Sequence, residues 1–426
     1  MRDRFAWLGL SVVVAAAATC HREDPDATAS TESAGAGDSQ SDSTSDSAPA
    51  GEDSSTATTG TSSNATSDGE SDSDVSSGDA GTGPEVEPFD CEAIAGGSTQ
   101  FYEDNVVLPE LGPGPDLPAS TPEAEGMDAT LLAAAAAELA TTPALLGFIV
   151  LRNHAVVWEA YFHGSGPDDA NNIHSASKSM IATLIGIAIS RGDIQGVEQP
   201  LSELLPIAFA DVTDPDKLSM TVGHLLTMSG GLSWTEDETE YTVDDEGDWV
   251  QAIVDLPLQA APGTVFNYST GLSHLASAVL TEATGMSTCA FAHEVLMGPL
   301  GITVERWGRD PQGYFSGGFN VFMTARELAA FGLFQQQRGA WGGRQLVPSA
   351  WIDASVTPHF ADYGYLWWLL EADGHALQTA WGYGGQLIYV IDDLDLVVVF
   401  TTDTSGEDPD FDGRPVLADY VIPAVL

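Results

Sequence analysis

The sequence predicts an α+β fold, an antiparallel sheet flanked by helices with a helical subdomain, preceded by a disordered N-terminal tether. Three observations carry this. Two β-type runs, Leu145 to Leu151 and Val156 to Phe162, face each other across the turn Arg152-Asn153-His154-Ala155. The stretch from Gly192 to Gly301 is mostly helical in pattern, with long loops. Strand-like runs then return at Tyr365 to Leu370, Gln386 to Ile391 and Leu396 to Thr402, the last nearly all apolar and so central. Hairpin, helical insertion and strands again read as one folded unit.

In chain order, residues 1–20 read as an export leader. Arg2 and Arg4 make a charged start, and Leu8 to Ala18 is an apolar run too short to span a bilayer with margin. Ala17-Ala18-Thr19-Cys20 resembles a lipoprotein cleavage site, which would leave Cys20 lipidated at the new N-terminus. Plain cleavage near Ala18 is the alternative. Residues 21–90 are rich in Ser, Thr, Asp, Glu, Gly and Ala with almost no large apolar side chain. Such a segment cannot bury enough surface to offset the entropy of ordering, and it reads as a disordered acidic linker. Residues 91–120 form an extended, proline-rich transition, and residues 121–426 the folded domain. Within that domain Met127 to Ala140, Thr221 to Met228, Leu272 to Ala283, Ala325 to Gln336 and Trp351 to Ser355 read as helices, with Pro415 to Val425 as a closing one. Thr235 to Asp248 is strongly acidic and reads as a solvated loop.

Composition excludes several function classes. The chain holds 13 Lys plus Arg against 63 Asp plus Glu, a formal charge of −50. Nucleic acid and anionic membrane surfaces are therefore poor partners, and a membrane is expected only through a lipid at Cys20. The three cysteines, Cys20, Cys91 and Cys289, have no C-x-x-C spacing, and the nine histidines no H-E-x-x-H pattern, so neither a metal nor another cofactor is expected. Cys91 and Cys289 are free to pair after export or to remain thiols.

One lysine stands out. Only Lys178 and Lys217 are lysines, and Lys178 heads an apolar helix running from Ser175 to Ile189 and stopping at Arg191-Gly192. Ser175 sits at the helix entrance, where serine caps well, three residues and one turn from Lys178. Burial and the positive end of the helix dipole both disfavour a charged amine there. A neutral amine beside a hydroxyl can take its proton and make Ser175 a nucleophile. A capping serine and a snorkelling lysine would give the same short pattern. Two later motifs bear on the choice. Tyr268, in Asn267-Tyr268-Ser269-Thr270, stands just before a helix and offers a phenol for proton relay. Trp381-Gly382-Tyr383-Gly384-Gly385-Gln386 leads into a strand whose glycines let a substrate approach backbone donors. By contrast, Gly271-Leu272-Ser273-His274-Leu275 misses the G-x-S-x-G nucleophile elbow at its fifth residue and lies inside a helix.

Taken together, the Ser175 to Ser179 stretch, Leu225-Leu226-Thr227-Met228-Ser229-Gly230-Gly231-Leu232, Pro262-Gly263-Thr264 running to Tyr268-Ser269, and Trp381 to Gln386 resemble the serine β-lactamase and penicillin-binding-protein superfamily. Within it the chain is most similar to the class C-type branch of esterases, carboxypeptidases and 6-aminohexanoate-dimer hydrolases. Gly317-Gly318, Thr324 to Leu328 and Tyr365 to Trp368 add weaker matches. The resemblance implies a β-lactamase-like fold, with Ser175 as acylated nucleophile, Lys178 as base and Tyr268 as proton relay. It implies that the N–H groups of Ser175 and Tyr383 hold the oxyanion, with Trp381, Gly384 and Gln386 beside the substrate. Two departures matter. Position 270 is Thr where the family often has Asn, and no cation matches the Lys-Thr-Gly edge that grips a substrate carboxylate. The expected substrate is thus a small neutral ester or linear amide, cleaved outside the cytoplasm in a bacterial cell envelope. A catalytically weak surface sensor or binding protein for cell-wall fragments is the alternative.

Overall fold

The apolar runs pair as a hairpin-rich sheet. In the computed structural model, which describes residues 89–95, 108–109, 114–236, 238–244, 246–405 and 411–426, twelve strands form three antiparallel sheets. They are β1 (Leu108–Pro109), β2 (Leu145–Arg152), β3 (Ala155–Tyr161), β4 (Asp169–Asn172), β5 (Arg306–Trp307), β6 (Val321–Thr324), β7 (Ala340–Trp341), β8 (Arg344–Gln345), β9 (Trp368–Ala372), β10 (His375–Gly382), β11 (Gln386–Ile391) and β12 (Leu396–Thr402). The main sheet has the order β3-β2-β12-β11-β10-β9 and a smaller one the order β1-β4-β6-β5. The leader with Cys20 and almost all of the acidic 21–90 segment lie outside the described residues.

β2, β11 and β12 are buried along nearly their whole length because the main sheet is covered on both faces. One face carries α1 (Ala129–Leu139) and the C-terminal turns from Arg414, joined in a cluster around Leu132, Phe148, Val398, Phe400 and Leu417. The other faces the larger core cluster, which includes α2 (Ser177–Arg191), α3 (Trp249–Asp255), α4 (Thr270–Thr284), α5 (Thr288–Ala292) and α6 (Ala325–Gln336) beside several shorter helices. Thr324 caps α6 and Glu327 reaches back to the Thr324 N–H at 2.9 Å, a reciprocal cap that explains why this helix begins where the sequence says.

Several elements differ from expectation. The strand expected at Tyr365 to Leu370 begins only at Trp368. Leu366 takes a positive φ of 55°, and the N–H groups of Tyr365 and Leu366 are spent on Ser355 and Leu226. β10 is a strand the sequence hides, because Gln378 meets Gln335 of α6 across the sheet face at 3.0 Å. The transition segment also packs. Cys91 and Cys289 form a disulfide, Phe89 stacks on His293 with ring centroids 4.1 Å apart, and β1 pairs with β4. The acidic loop is not wholly solvated: it contains a helix at Glu238–Asp244 and buries Glu240.

Candidate active site

Ser175 is presented by a turn clamped between the two sheets. β4 ends at Asn172, and the next residue, Ile173, donates its N–H to Val321 of β6 at 2.8 Å. His174 then adopts a φ of 46°, its N–H taken by the Asn172 side chain at 3.0 Å, and a 3-10 turn spans His174–Ala176 before α2 begins. Ser175 therefore does not cap the helix. The end of β10 fits against this turn with no spare volume: a Cβ on Gly382 would stand 2.2 Å from the Ile173 oxygen. From Ala170 to Ala188 every residue is buried except Ser175. The chain thus leaves one hydroxyl half-buried in an otherwise closed stretch.

Lys178 lies one turn on and is 1% exposed. Its Nζ donates to Ser175 Oγ at 2.7 Å, to the Gly318 carbonyl at 2.9 Å and to Thr270 Oγ1 at 3.2 Å. Three acceptors saturate an ammonium. Gly318 must be glycine, since its φ is 135° and a Cβ would lie 2.2 Å from Lys178 Cγ. Burial brings the Lys178 pKa down to about 8, against the opposing pull of Glu236 and Glu240.

Tyr268 reaches the same spot from the helical side. Its loop is gripped by the turn around Ser229-Gly230-Gly231: Asn267 N–H donates to Met228 at 2.8 Å, and the Asn267 amide to the carbonyls of Leu232 and Trp234 at 3.3 and 3.0 Å. The Tyr268 side chain hydrogen-bonds Ser175, and Lys178 Nζ lies 5.3 Å from its ring centroid. Burial, followed by the negative charge of Glu236, drives its pKa far up, so it stays a phenol. Its ring stacks on Trp368 at 5.8 Å and meets Tyr363 edge-on at 6.4 Å.

At the β10–β11 turn, Tyr383 holds its ring edge-on to His174 at 5.5 Å, which places the hairpin tip beside the Ser175 turn. The other residues expected here make the following contacts. Gln386 is fully buried, with its amide donating to Thr402 O at 2.7 Å and Oγ1 at 2.8 Å and accepting from Thr402 N at 3.2 Å. Its side chain clamps the hairpin. The Gly384 carbonyl accepts from Thr402 Oγ1 at 2.8 Å in the same clamp. Alternation along β10 turns Trp381 to the face opposite Gly382, under the Arg414 guanidinium at 5.8 Å, and it touches the site side through Trp368 at 6.5 Å. Trp367 is a core residue, stacked on Phe331.

Sequence reasoning missed Glu236. Its carboxylate accepts from Thr270 N at 2.6 Å, Thr270 Oγ1 at 2.9 Å and Trp234 Nε1 at 2.9 Å. Nothing in an acidic run separates this glutamate from its neighbours. The threonine at 270 was the available signal, because its hydroxyl, accepting from Lys178, needs an acceptor of its own. Ser273 lies buried within α4, its Oγ bonded to the Thr270 carbonyl at 2.9 Å, and His274 pairs with Asp310 at 3.0 Å with both side chains fully buried. Among the described residues no cluster of His, Cys, Asp and Glu could hold a metal ion, and no helix is long and apolar enough to cross a membrane.

The family model described as Beta-lactamase matches residues 132–421. In sequence the chain is similar to the 6-aminohexanoate-dimer hydrolase of Paenarthrobacter ureafaciens, 25% identical over 224 residues, or 49% of this chain and 56% of that one. The match spans little more than half of that relative's length. In fold it is similar to a Bacillus anthracis protein provisionally described as a 6-aminohexanoate-dimer hydrolase, with a TM-score of 0.59, 16% identity, and 75% of this chain and 89% of that one covered. It is also similar to EstCE1, a hydrolase with promiscuous acyltransferase activity, with a TM-score of 0.54, 16% identity, and 70% and 98% coverage.

Proposed function

We propose that the chain, which belongs to the Beta-lactamase family, is a serine hydrolase that cleaves a small neutral ester or linear amide outside the cytoplasm through an acyl-enzyme on Ser175. The observation that carries this is the buried Lys178 amine 2.7 Å from the one partly exposed hydroxyl of its stretch. Neutral Lys178 takes the Ser175 proton as Oγ bonds to the substrate carbonyl carbon. The carbon–oxygen or carbon–nitrogen bond then breaks, and the departing alcohol or amine receives the proton through Tyr268. Water adds to the acyl ester, its proton returns along the same relay, and the acid leaves as Ser175 regains its hydrogen. The N–H groups of Ser175 and Tyr383 are the proposed oxyanion donors.

Charge supports a substrate without a carboxylate. Glu236 and Glu240 both act on Lys178, and Arg414, the cation beside Trp381, is tied to Asp412 through Nε at 3.0 Å and Nη2 at 2.6 Å. The name of the Paenarthrobacter relative denotes an aminohexanoate dimer, which supports the amide half of this reading and not the absence of a carboxylate. The Cys91–Cys289 disulfide supports an oxidising compartment. Residues 1–20 are the proposed leader, with a lipid at Cys20 or cleavage near Ala18; the intact mass of the mature chain decides between them.

Ser175→Ala is expected to abolish hydrolysis of a nitrophenyl acyl ester while the protein remains folded by circular dichroism. Undiminished turnover would sink the reading. In the parent protein, mass spectrometry during turnover should show an acyl adduct that clears. A permanent adduct would favour a surface sensor instead.

A further inference from the structure

Thr270 accepts a hydrogen bond from Lys178, so its own proton must go elsewhere, and it goes to Glu236 at 2.9 Å. The direction of the chain Lys178 to Thr270 to Glu236 is thereby fixed. The same carboxylate takes the Thr270 N–H at 2.6 Å and the Trp234 indole at 2.9 Å, which leaves it little freedom to move. We propose that Glu236 is a positioning residue for the Ser175 reaction: through Thr270 it fixes the Lys178 amine on Ser175 and supplies the counter-charge that sets how readily the lysine gives up its proton. The proposal rests on Ser175 and Lys178 acting as described above.

Several elements face Lys178. Thr270 comes from the start of α4, the Gly318 carbonyl from the loop before β6, Glu236 from the loop after Trp234, and Glu240 from the Glu238–Asp244 helix. The Tyr268 ring lies alongside, and His174 from the Ser175 turn feels the lysine charge. Glu236 and Glu240 are the carboxylates among them, and Glu236 is joined to the amine by an intervening hydroxyl. Each of the two raises the proton affinity of Lys178 against the effect of burial, Glu236 more than Glu240. Glu236 would otherwise be only a partner for the first N–H of α4, where Ser269 already caps the helix by accepting from Leu272 at 3.2 Å.

The chain has only two lysines, so protein grown on lysine labelled with carbon-13 at Cε gives two signals, and Lys178 can be titrated directly by NMR. In Glu236→Gln the Lys178 midpoint is expected to fall by about one pH unit. The acidic limb of kcat/KM should move down with it, and Glu236→Asp should return both most of the way. Thr270→Val keeps the charge but cuts the bridge. It is expected to lower kcat about tenfold, the equivalent of one lost hydrogen bond, with a smaller movement of the midpoint. If Glu236→Gln does not fold, Glu236→Ala removes the same charge without setting an amide donor against Trp234 and Thr270, and the same midpoint is read in it. A Lys178 midpoint unchanged in Glu236→Gln, with only the melting temperature lowered, would reduce Glu236 to a helix partner and overturn the proposal. Because the titration also works in a Ser175→Ala background, that outcome is separate from failure of the Ser175 reading, which shows only in turnover.

Discussion

Two lysines in one chain have opposite employments. Lys217 is half-buried beside the end of α3, where its Nζ donates to the carbonyls of Val254 and Leu256, both at 2.8 Å. Those are the orphan acceptors of a helix C-terminus, and a cation there is a structural cap. Lys178 also donates to a backbone carbonyl, that of Gly318, but its other two partners are hydroxyls, and it is closed off from water. Carbonyl acceptors hold a lysine in its charged form and do nothing more. A serine hydroxyl within the same reach can exchange a proton with it. The residue type is therefore uninformative alone; what differs is whether the acceptor has a proton to lose.

The contrast can be tested from its strong end. Lys178→Met should lower kcat/KM on an activated acyl ester by about 10³-fold, the middle of the range for loss of a general base. In the parent protein the rate should rise as pH increases through about 8, because burial has lowered the lysine pKa and the neutral amine is the active form. A rate that falls over that interval would contradict the assignment. Next, Gly318→Ala should displace the Lys178 stem, since the added carbon falls 2.2 Å from Cγ at a φ of 135°. A loss of about 10²-fold in kcat is expected from such misplacement, together with a lower melting temperature. Retention of full activity would mean that the lysine need not be held where it lies. The smallest effect belongs to Lys217→Met, which should leave kcat/KM unchanged and reduce unfolding stability by about 1 kcal/mol in a denaturant titration. Equal losses of turnover in the two lysine variants would erase the distinction.

Much of this architecture was legible where one physical effect dominates. Strands buried on both faces announce themselves as apolar runs, and β11 and β12 fall where expected. The Asn153-His154 turn is equally plain, and both residues adopt positive φ. β10 was hidden because its inward face carries Gln378 against Gln335, a polar contact that looks like a surface pattern. In the site, Ser175, Lys178 and Tyr268 were legible as a set and are brought together. The buried place of Gln386 was not legible, because a Gly-rich turn into a strand does not say which side chains stay inside, and the Thr402 clamp decides that. Glu236 was invisible for a different reason. Its neighbours in sequence are also acids, and only the packing of Trp234 and the Asn267 side chain turns this one inward.

The Cys91–Cys289 bridge has a mechanical consequence. It joins positions 198 residues apart and attaches the start of the described chain to α5, with Phe89 stacked on His293 and Glu92 paired to Arg309 at 2.9 Å. A pull on the chain ahead of Phe89 would therefore enter the fold at α5 and not travel along the backbone to β2 and β3. The bridge acts as a strain relief, in the sense of a cable clamp: tension at the N-terminal side is grounded in the helical half before it can reach the turn that holds Ser175.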